Sequence, residues 1–526
     1  MKNAVKKYWA VALMFLTVTA VCLLFSCRKS GMFIDEIYTY GLSNSSYAPY
    51  ITDVKGGNAL GQVITREELF DYVAITEGEG FDFGSVYYNQ AMDVHPPLYY
   101  WIFNAVSSLF PHSFSKWTGL ALDYVIYMLA LLCLYKLVMT LFGNRDIACA
   151  GVILYGLSLL GLSTMLMIRM YVLLTMLSVL LAYLAARLMR DFQPRLCPLV
   201  GLTILAGLMT QYYFVFYAFF LCGAYVLYVL WKKEYKKLAW FIPWALGGAL
   251  CLLLVFPACI AQLSADKLVS GGSAMENLTA FSQYPQRLLY YFGEVRHGLK
   301  AAILVTLAAL AALVLLFRCV KKAAGEKPLH WESLVIILPA FVTLPVVAIL
   351  SPVLDQRYVY NIVPFFVVAV CLLLYWLSLA LPDGKQAAPV GKTVLLAIAV
   401  LALWQARCEP PAYLYPEYRD YDALVEQHRE EPCVYFTDNY FSPMTQDLLQ
   451  LLHFEDFYVT DENGCRDMLD YLGDREEFVA YIDISEYWSS GYDPEEIIAN
   501  IRDNTDYQRA ELLYQNGLSA TYVIKK

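Results

Sequence analysis

Two carboxylates stand side by side in Met32-Phe33-Ile34-Asp35-Glu36-Ile37-Tyr38, just after an apolar run that ends at Phe25. At a membrane–water boundary the lower dielectric raises a carboxylate pKa, which suits Asp35 to accept a proton. Glu36 can then orient a substrate or raise the pKa of Asp35 by like-charge repulsion; alternatively the pair favours the macrodipole of a helix starting there. In Asp93-Val94-His95-Pro96-Pro97-Leu98-Tyr99-Tyr100, Pro96 biases His95 to extended backbone and Pro97 suits the first turn of a helix. His95 would sit at an outer surface, as a rival base or a substrate-binding group, because imidazole titrates near neutrality. Arg169, in Met167-Ile168-Arg169-Met170-Tyr171, interrupts an apolar run of about 40 residues. A charge there should face a polar cavity or an anion, or snorkel to the interface. Arg357-Tyr358 opens another apolar run, where Arg357 can meet an anion or pair with Asp355. Two guanidinium groups, planar and always charged, suit a phosphate. Tyr171, Tyr358, Gln211 and Tyr212 stand beside such run ends and are candidates to line a substrate. Arg287, Tyr290, Tyr291, Arg296 and His297 lie in a segment that can order around a ligand. No CxxC or Cys/His cluster has metal-ligand spacing, so no zinc site is expected.

The elements that must position these groups are membrane helices. Of 526 residues 59% are hydrophobic and 16% charged, against roughly 45–50% and 25% in soluble domains. Apolar runs long enough to cross a membrane lie near residues 8–25, 118–141, 147–164, 169–187, 197–211, 212–231, 238–262, 299–317, 333–350, 359–380 and 393–406. The first is too long for a signal-peptide core and lacks a small-x-small cleavage site. Basic clusters set the direction: Lys136 and Arg145; Arg187, Arg190 and Arg195; Lys232–Lys237; Arg318, Lys321, Lys322 and Lys327; Lys385 and Lys392. All five lie inside only if the short stretch Pro97–Phe110 does not cross completely. The expectation is a polytopic α-helical membrane protein of about eleven spans plus a re-entrant or interfacial helix, with the N-terminus cytoplasmic.

Three segments then face outward: 27–96, 263–297 and the tail from 407. Residues 407–526 carry 9 basic and 26 acidic residues, and residues 1–406 carry 29 and 21. The expected domains are therefore a membrane body, 1–406, and an acidic extracytoplasmic tail, 407–526. Neither suits nucleic acid, since the tail repels phosphate backbones. Strand-like runs at Val434–Thr437, Phe457–Thr460, Phe478–Ile484, Glu511–Tyr514 and Thr521–Ile524 alternate with helical patterns at Pro443–Leu452, Arg466–Leu472 and Pro494–Ile501. This predicts a small α/β domain. A Cys433–Cys465 disulfide is compatible with an outside location.

The acidic pair after the first span, His-Pro-Pro-Leu-Tyr-Tyr, Arg169-Met170-Tyr171 and Arg357-Tyr358 occur in this order. The pattern resembles the polytopic glycosyltransferases of the GT-C fold, especially bacterial relatives of dolichyl-phosphate-mannose–protein mannosyltransferases and aminoarabinose transferases. The resemblance covers roughly residues 1–380. It implies a multi-pass plasma-membrane enzyme that takes a sugar from a polyprenyl-phosphate carrier to a glycan, lipid or protein acceptor with inversion. It maps the base onto Asp35; Arg169 and Arg357 are expected on the donor phosphate because both stand at the outer face of apolar helices. No cofactor is expected, a divalent cation near Asp35 and Glu36 being left open. The alternative is a lipid-linked glycan flippase or transporter, which should place charges at mid-membrane in repeated halves; here the candidates gather at one face and no repeat is evident.

Overall fold

All eleven apolar runs form helices. The computed structural model describes residues 2–263, 273–316, 330–379, 387–485 and 491–526. Among these, seven helices are long and apolar enough to cross a membrane: Trp9–Arg28, Lys116–Phe142, Tyr171–Arg190, Phe214–Trp231, Lys236–Val255, Trp331–Leu350 and Gly391–Cys408. Two more runs belong to bent pairs, Arg145–Gly156 with Leu159–Leu166 at 62° and Phe281–Gly298 with Lys300–Leu315 at 83°. The first break follows from Ser158, whose hydroxyl accepts from the Gly161 N–H at 3.0 Å and starts a new helix. The last two runs are the shorter helices Pro194–Leu208 and Val363–Ser378. The stretch after Pro97 is a ten-residue helix, Leu98–Ser107. At 1.5 Å per residue it is about 15 Å long, half the hydrocarbon thickness, so it is too short to cross. The basic residues Arg318, Lys321, Lys322, Lys327 and Lys385 lie outside the described residues.

The chain divides into two compact units, and the division differs from a cut at residue 407. The first unit comprises Met1–Cys27, Val94–Tyr99 and Leu120–Ala412; the second comprises Arg28–Asp93, Tyr100–Gly119 and Tyr413–Lys526. The expected first outer loop thus folds with the tail. The reason is backbone pairing. The second unit holds a six-stranded sheet of β1 (Gln62–Thr65), β2 (Cys433–Phe436), β3 (Asp456–Thr460), β4 (Glu477–Asp483), β5 (Arg509–Gln515) and β6 (Ser519–Lys525), in the order β1-β3-β2-β4-β6-β5. β2 runs parallel to β3 and β4, while β6 is antiparallel to β4 and β5. The five tail strands fall where alternation places them. β1, from the first loop, completes the edge antiparallel to β3, with Ile64 opposite Phe457. Arg66 locks it by donating from Nε to the Phe454 carbonyl at 2.8 Å and from Nη2 to that of His453 at 2.6 Å.

One face of this sheet (Val434, Phe436, Phe478, Ala480, Ile482) packs on Ile497, Ile498 and Ile501 of the helix Pro494–Asn504, with Cys465 in the same cluster. Cys433 and Cys465 are both free. Strand residues alternate between faces, so Cys433 points away from the face that Val434 shares with Cys465. The disulfide that an outside location would permit is not formed.

Candidate functional site

Asp35 and Glu36 occupy the first turn of the helix Ile34–Asn44, in the second unit. The helix is buried on every side from Thr39 to Asn44, with Ile37 buried before them. Tyr40 donates to the Ser115 carbonyl at 2.7 Å and meets Phe103 and Phe114 edge-on. At Gly41 a Cβ would fall 2.2 Å from the Tyr72 ring, so only glycine allows this approach. Tyr38 shares a 2.8 Å hydrogen bond with Ser442 of the tail. Asp35 is left half-exposed at the start of a firmly held helix.

Glu36 has a different setting. It is fully buried, and Oε2 accepts from the Lys29 ammonium at 2.8 Å and from the Phe33 N–H at 2.7 Å. Lys29, also fully buried, donates to the Tyr413 carbonyl at 2.6 Å and lies 5.6 Å from the Tyr415 ring centroid. Tyr413 and Tyr415 have φ of 67° and 47°. For residues with a Cβ this left-handed region costs about 1–3 kcal/mol each and persists only where surroundings over-determine it.

His95, Arg169, Tyr171, Gln211, Tyr212, Arg357 and Tyr358 all belong to the first unit. Arg169 is 3% exposed and sits between Leu159–Leu166 and Tyr171–Arg190, its N–H donating to the Met167 carbonyl at 2.7 Å. Tyr171 stands edge-on to Tyr358 and Tyr360, and Tyr213 tilts against Tyr358 at 5.1 Å. The Arg357 guanidinium carbon lies 5.4 Å from the Tyr358 ring centroid, with Nε 3.6 Å from Asp355. These rings therefore join the two arginine-bearing segments. The Leu98 N–H, next to Pro97, donates to the Met209 carbonyl at 3.0 Å, which ties the half-buried His95 turn to the segment carrying Gln211 and Tyr212. Tyr212 donates to Gln262. Arg287 and Tyr291 do not gather there as open ligands: Arg287 donates to the Ala348 carbonyl at 2.8 Å and both reach the Ser351 hydroxyl.

Two polar groups escaped the sequence reading. Asp123 is fully buried within Lys116–Phe142 and accepts from Tyr99 at 2.7 Å; a lone aspartate in an apolar run was the signal to find it. Asn361, 1% exposed, has no hydrogen-bond partner for either amide atom among the described residues, and nothing in its sequence setting signals that. No three His, Cys, Asp or Glu side chains among the described residues gather as metal ligands, and Glu36 of the acidic pair is engaged by Lys29. The second unit also has a polar cleft of about 670 Å³ that includes Arg66, Arg429 and His453. Two of its basic groups are paired, Arg429 with Glu426 and Glu430, and His453 with Asp422 and Glu426.

Residues 94–260 match the family described as dolichyl-phosphate-mannose-protein mannosyltransferase. No curated protein sequence matches the chain. Among solved structures, apo ArnT from Cupriavidus metallidurans is 11% identical, with 98% of each chain covered and a TM-score of 0.53. The same protein bound to undecaprenyl phosphate gives 11%, 98% of each chain and 0.51. The archaeal oligosaccharyltransferase AglB from Archaeoglobus fulgidus, in complex with an inhibitory peptide and a dolichol-phosphate, gives 11%, 94% of this chain, 72% of that chain and 0.47. The resemblance to the GT-C fold read from the sequence is borne out, and the similarity of fold to ArnT extends over 98% of each chain.

Proposed function

We propose that this GT-C-fold chain is a membrane glycosyltransferase that moves a sugar from a polyprenyl-phosphate carrier to an extracytoplasmic acceptor by single-displacement inversion. One observation carries the reading most: a buried arginine, Arg169, and a second, Arg357, are joined by a tyrosine cluster within an apolar helical body. A guanidinium is a planar, permanently charged fork of paired donors, and a carrier phosphate is an anion with matching paired acceptors. The ArnT of similar fold binds undecaprenyl phosphate, which supports this donor class.

In this reading Arg169 and Arg357 hold the phosphate and stabilise its departing charge. Asp35, half-exposed at a rigid helix start, takes the proton of the acceptor hydroxyl as that oxygen attacks the anomeric carbon. The bond from that carbon to the phosphate oxygen breaks on the opposite face, and its electron pair leaves with the phosphate. Configuration inverts without a glycosyl-enzyme intermediate. His95, Tyr171, Gln211, Tyr212 and Tyr358 bind the sugar and the phosphate region. Glycan, lipid or protein hydroxyls are the acceptor classes. Purified protein incubated with several polyprenyl-phosphate sugars should release free carrier phosphate with at least one, and the transferred sugar should have the opposite anomeric configuration. No release from any donor, in the presence of candidate acceptors, would overturn the reading.

A further inference from the structure

Glu36 is next to the assigned base, yet its contacts are those of a group kept from substrate. Its carboxylate and the Lys29 ammonium are both 0% exposed and 2.8 Å apart. The same Oε2 caps the helix start through the Phe33 N–H. Lys29 continues to the Tyr413 carbonyl, 384 residues further along the chain. That carbonyl belongs to a turn in which two tyrosines adopt left-handed backbone, so its orientation depends on what surrounds it. The turn is held again where the Ser30 N–H donates to the Leu414 carbonyl at 2.8 Å, and where Phe33 stacks on Tyr415 at 6.5 Å. At Gly31 a Cβ would lie 2.7 Å from Cγ of Tyr418. Lys116 also donates to the Lys29 carbonyl. Buried ion pairs seldom add stability over an apolar replacement, but breaking one leaves a bare charge; their attested use is to fix register.

We infer that Lys29, Glu36 and the Tyr413–Tyr415 turn form a brace through which the C-terminal segment sets the position of Asp35, Glu36 being a positioning residue and not a second reactive carboxylate. The inference rests on Asp35 being the base. Glu36→Gln removes the carboxylate 2.8 Å from the Lys29 ammonium, and Lys29→Met removes that ammonium. Each single variant should lose at least tenfold in kcat, with donor KM within twofold of wild type, and should unfold at lower temperature. The double variant Lys29→Met/Glu36→Gln removes both charges, while the introduced amide oxygen can still accept from the Phe33 N–H. It should recover at least tenfold over either single variant in kcat. A double variant that unfolds like wild type yet stays as slow as Glu36→Gln would overturn the brace, because the carboxylate itself would then be needed. Wild-type protein supplies a check that needs no variant. A water-soluble carbodiimide with an amine should modify exposed Glu462 and leave Glu36 unmodified, whereas equal modification of both would overturn the inference. Asp35→Asn is assayed alongside. If it keeps normal turnover the base assignment fails, while carbodiimide protection and recovery of the unfolding temperature in the double variant still report on the brace.

Discussion

Tyr171 meets Tyr358 edge-on, with ring centroids 6.4 Å apart and planes at 88°. Tyr171 opens the helix that follows Arg169, and Tyr358 adjoins Arg357, so this ring contact couples the two segments on which the phosphate reading depends. Aromatic edge contacts of this kind contribute about 0.5–1.5 kcal/mol beyond area burial.

Replacing either arginine by lysine keeps the charge and loses the planar fork. Arg169→Lys and Arg357→Lys should each lower kcat about 10–100-fold, as a charge-assisted hydrogen bond is worth about 1.5–3 kcal/mol. Tyr171→Leu should lower it about 2–10-fold through the lost ring contact alone. Wild-type kinetics in both lysine variants would refute phosphate binding by these groups.

Asp35→Asn keeps the side-chain size and removes the base. Turnover should fall by about 10²–10⁴, with carrier binding unchanged in an equilibrium assay. His95→Ala should weaken donor binding and leave more residual turnover than Asp35→Asn. The reverse ranking, with intact donor binding in His95→Ala, would move the proton to His95.

Asn361 sets stability against function. Its buried amide donors and acceptor lack partners among the described residues, and each such group costs about 1–3 kcal/mol. Asn361→Leu should raise the unfolding temperature while lowering turnover, if the amide serves a substrate. A stabilised variant with full activity would mark it as a packing defect.

The tail should lose stability as pH rises from about 4 to about 6. Asp447 is fully buried, and burial raises its pKa to about 6 despite hydrogen bonds from Tyr435 and Asn516, each at 2.9 Å. Its folded pKa exceeds the unfolded one, so the folded state binds more protons across that window and unfolding becomes easier as they leave. The change is on the order of 3 kcal/mol and is complete above pH ~6. His453, raised by its hydrogen bond to Asp422, adds stability that fades only at higher pH, through its own folded pKa. Thermal unfolding of Asp447→Asn should lose this decline over the lower window and keep the upper one.

Orientation is testable in intact cells. Cys27 and Cys408 are the exposed thiols among the described residues. With both replaced, a membrane-impermeant thiol reagent should label Glu462→Cys in the tail and not Glu234→Cys in the basic loop. The opposite labelling would invert the topology.

Apolar composition alone determined the helical runs and the acidic tail, because crossing a membrane or staying in water depends on local residue content. Alternation likewise placed five strands of the tail sheet. The sixth, Gln62–Thr65, buries only Ile64, where the equally short Cys433–Phe436 is buried throughout, and it exists because the β3 edge supplies its hydrogen bonds. For the same reason the first loop could not be assigned to the tail from sequence. The motifs named Asp35, Arg169 and Arg357, but only tertiary packing decided that Tyr171 and Tyr358 join the arginine segments, and that Glu36 is spent on Lys29. Packing also turned Cys433 and Cys465 to opposite faces and bent Tyr413 and Tyr415 into left-handed backbone. These depend on partners distant in the chain or on which side of a strand a residue faces; Lys29 and Glu36 are only seven residues apart, but Lys29 also reaches Tyr413, 384 residues on. Local sequence carries the preference of a segment, whereas the pairing of distant segments is set by the free energy of the assembled core.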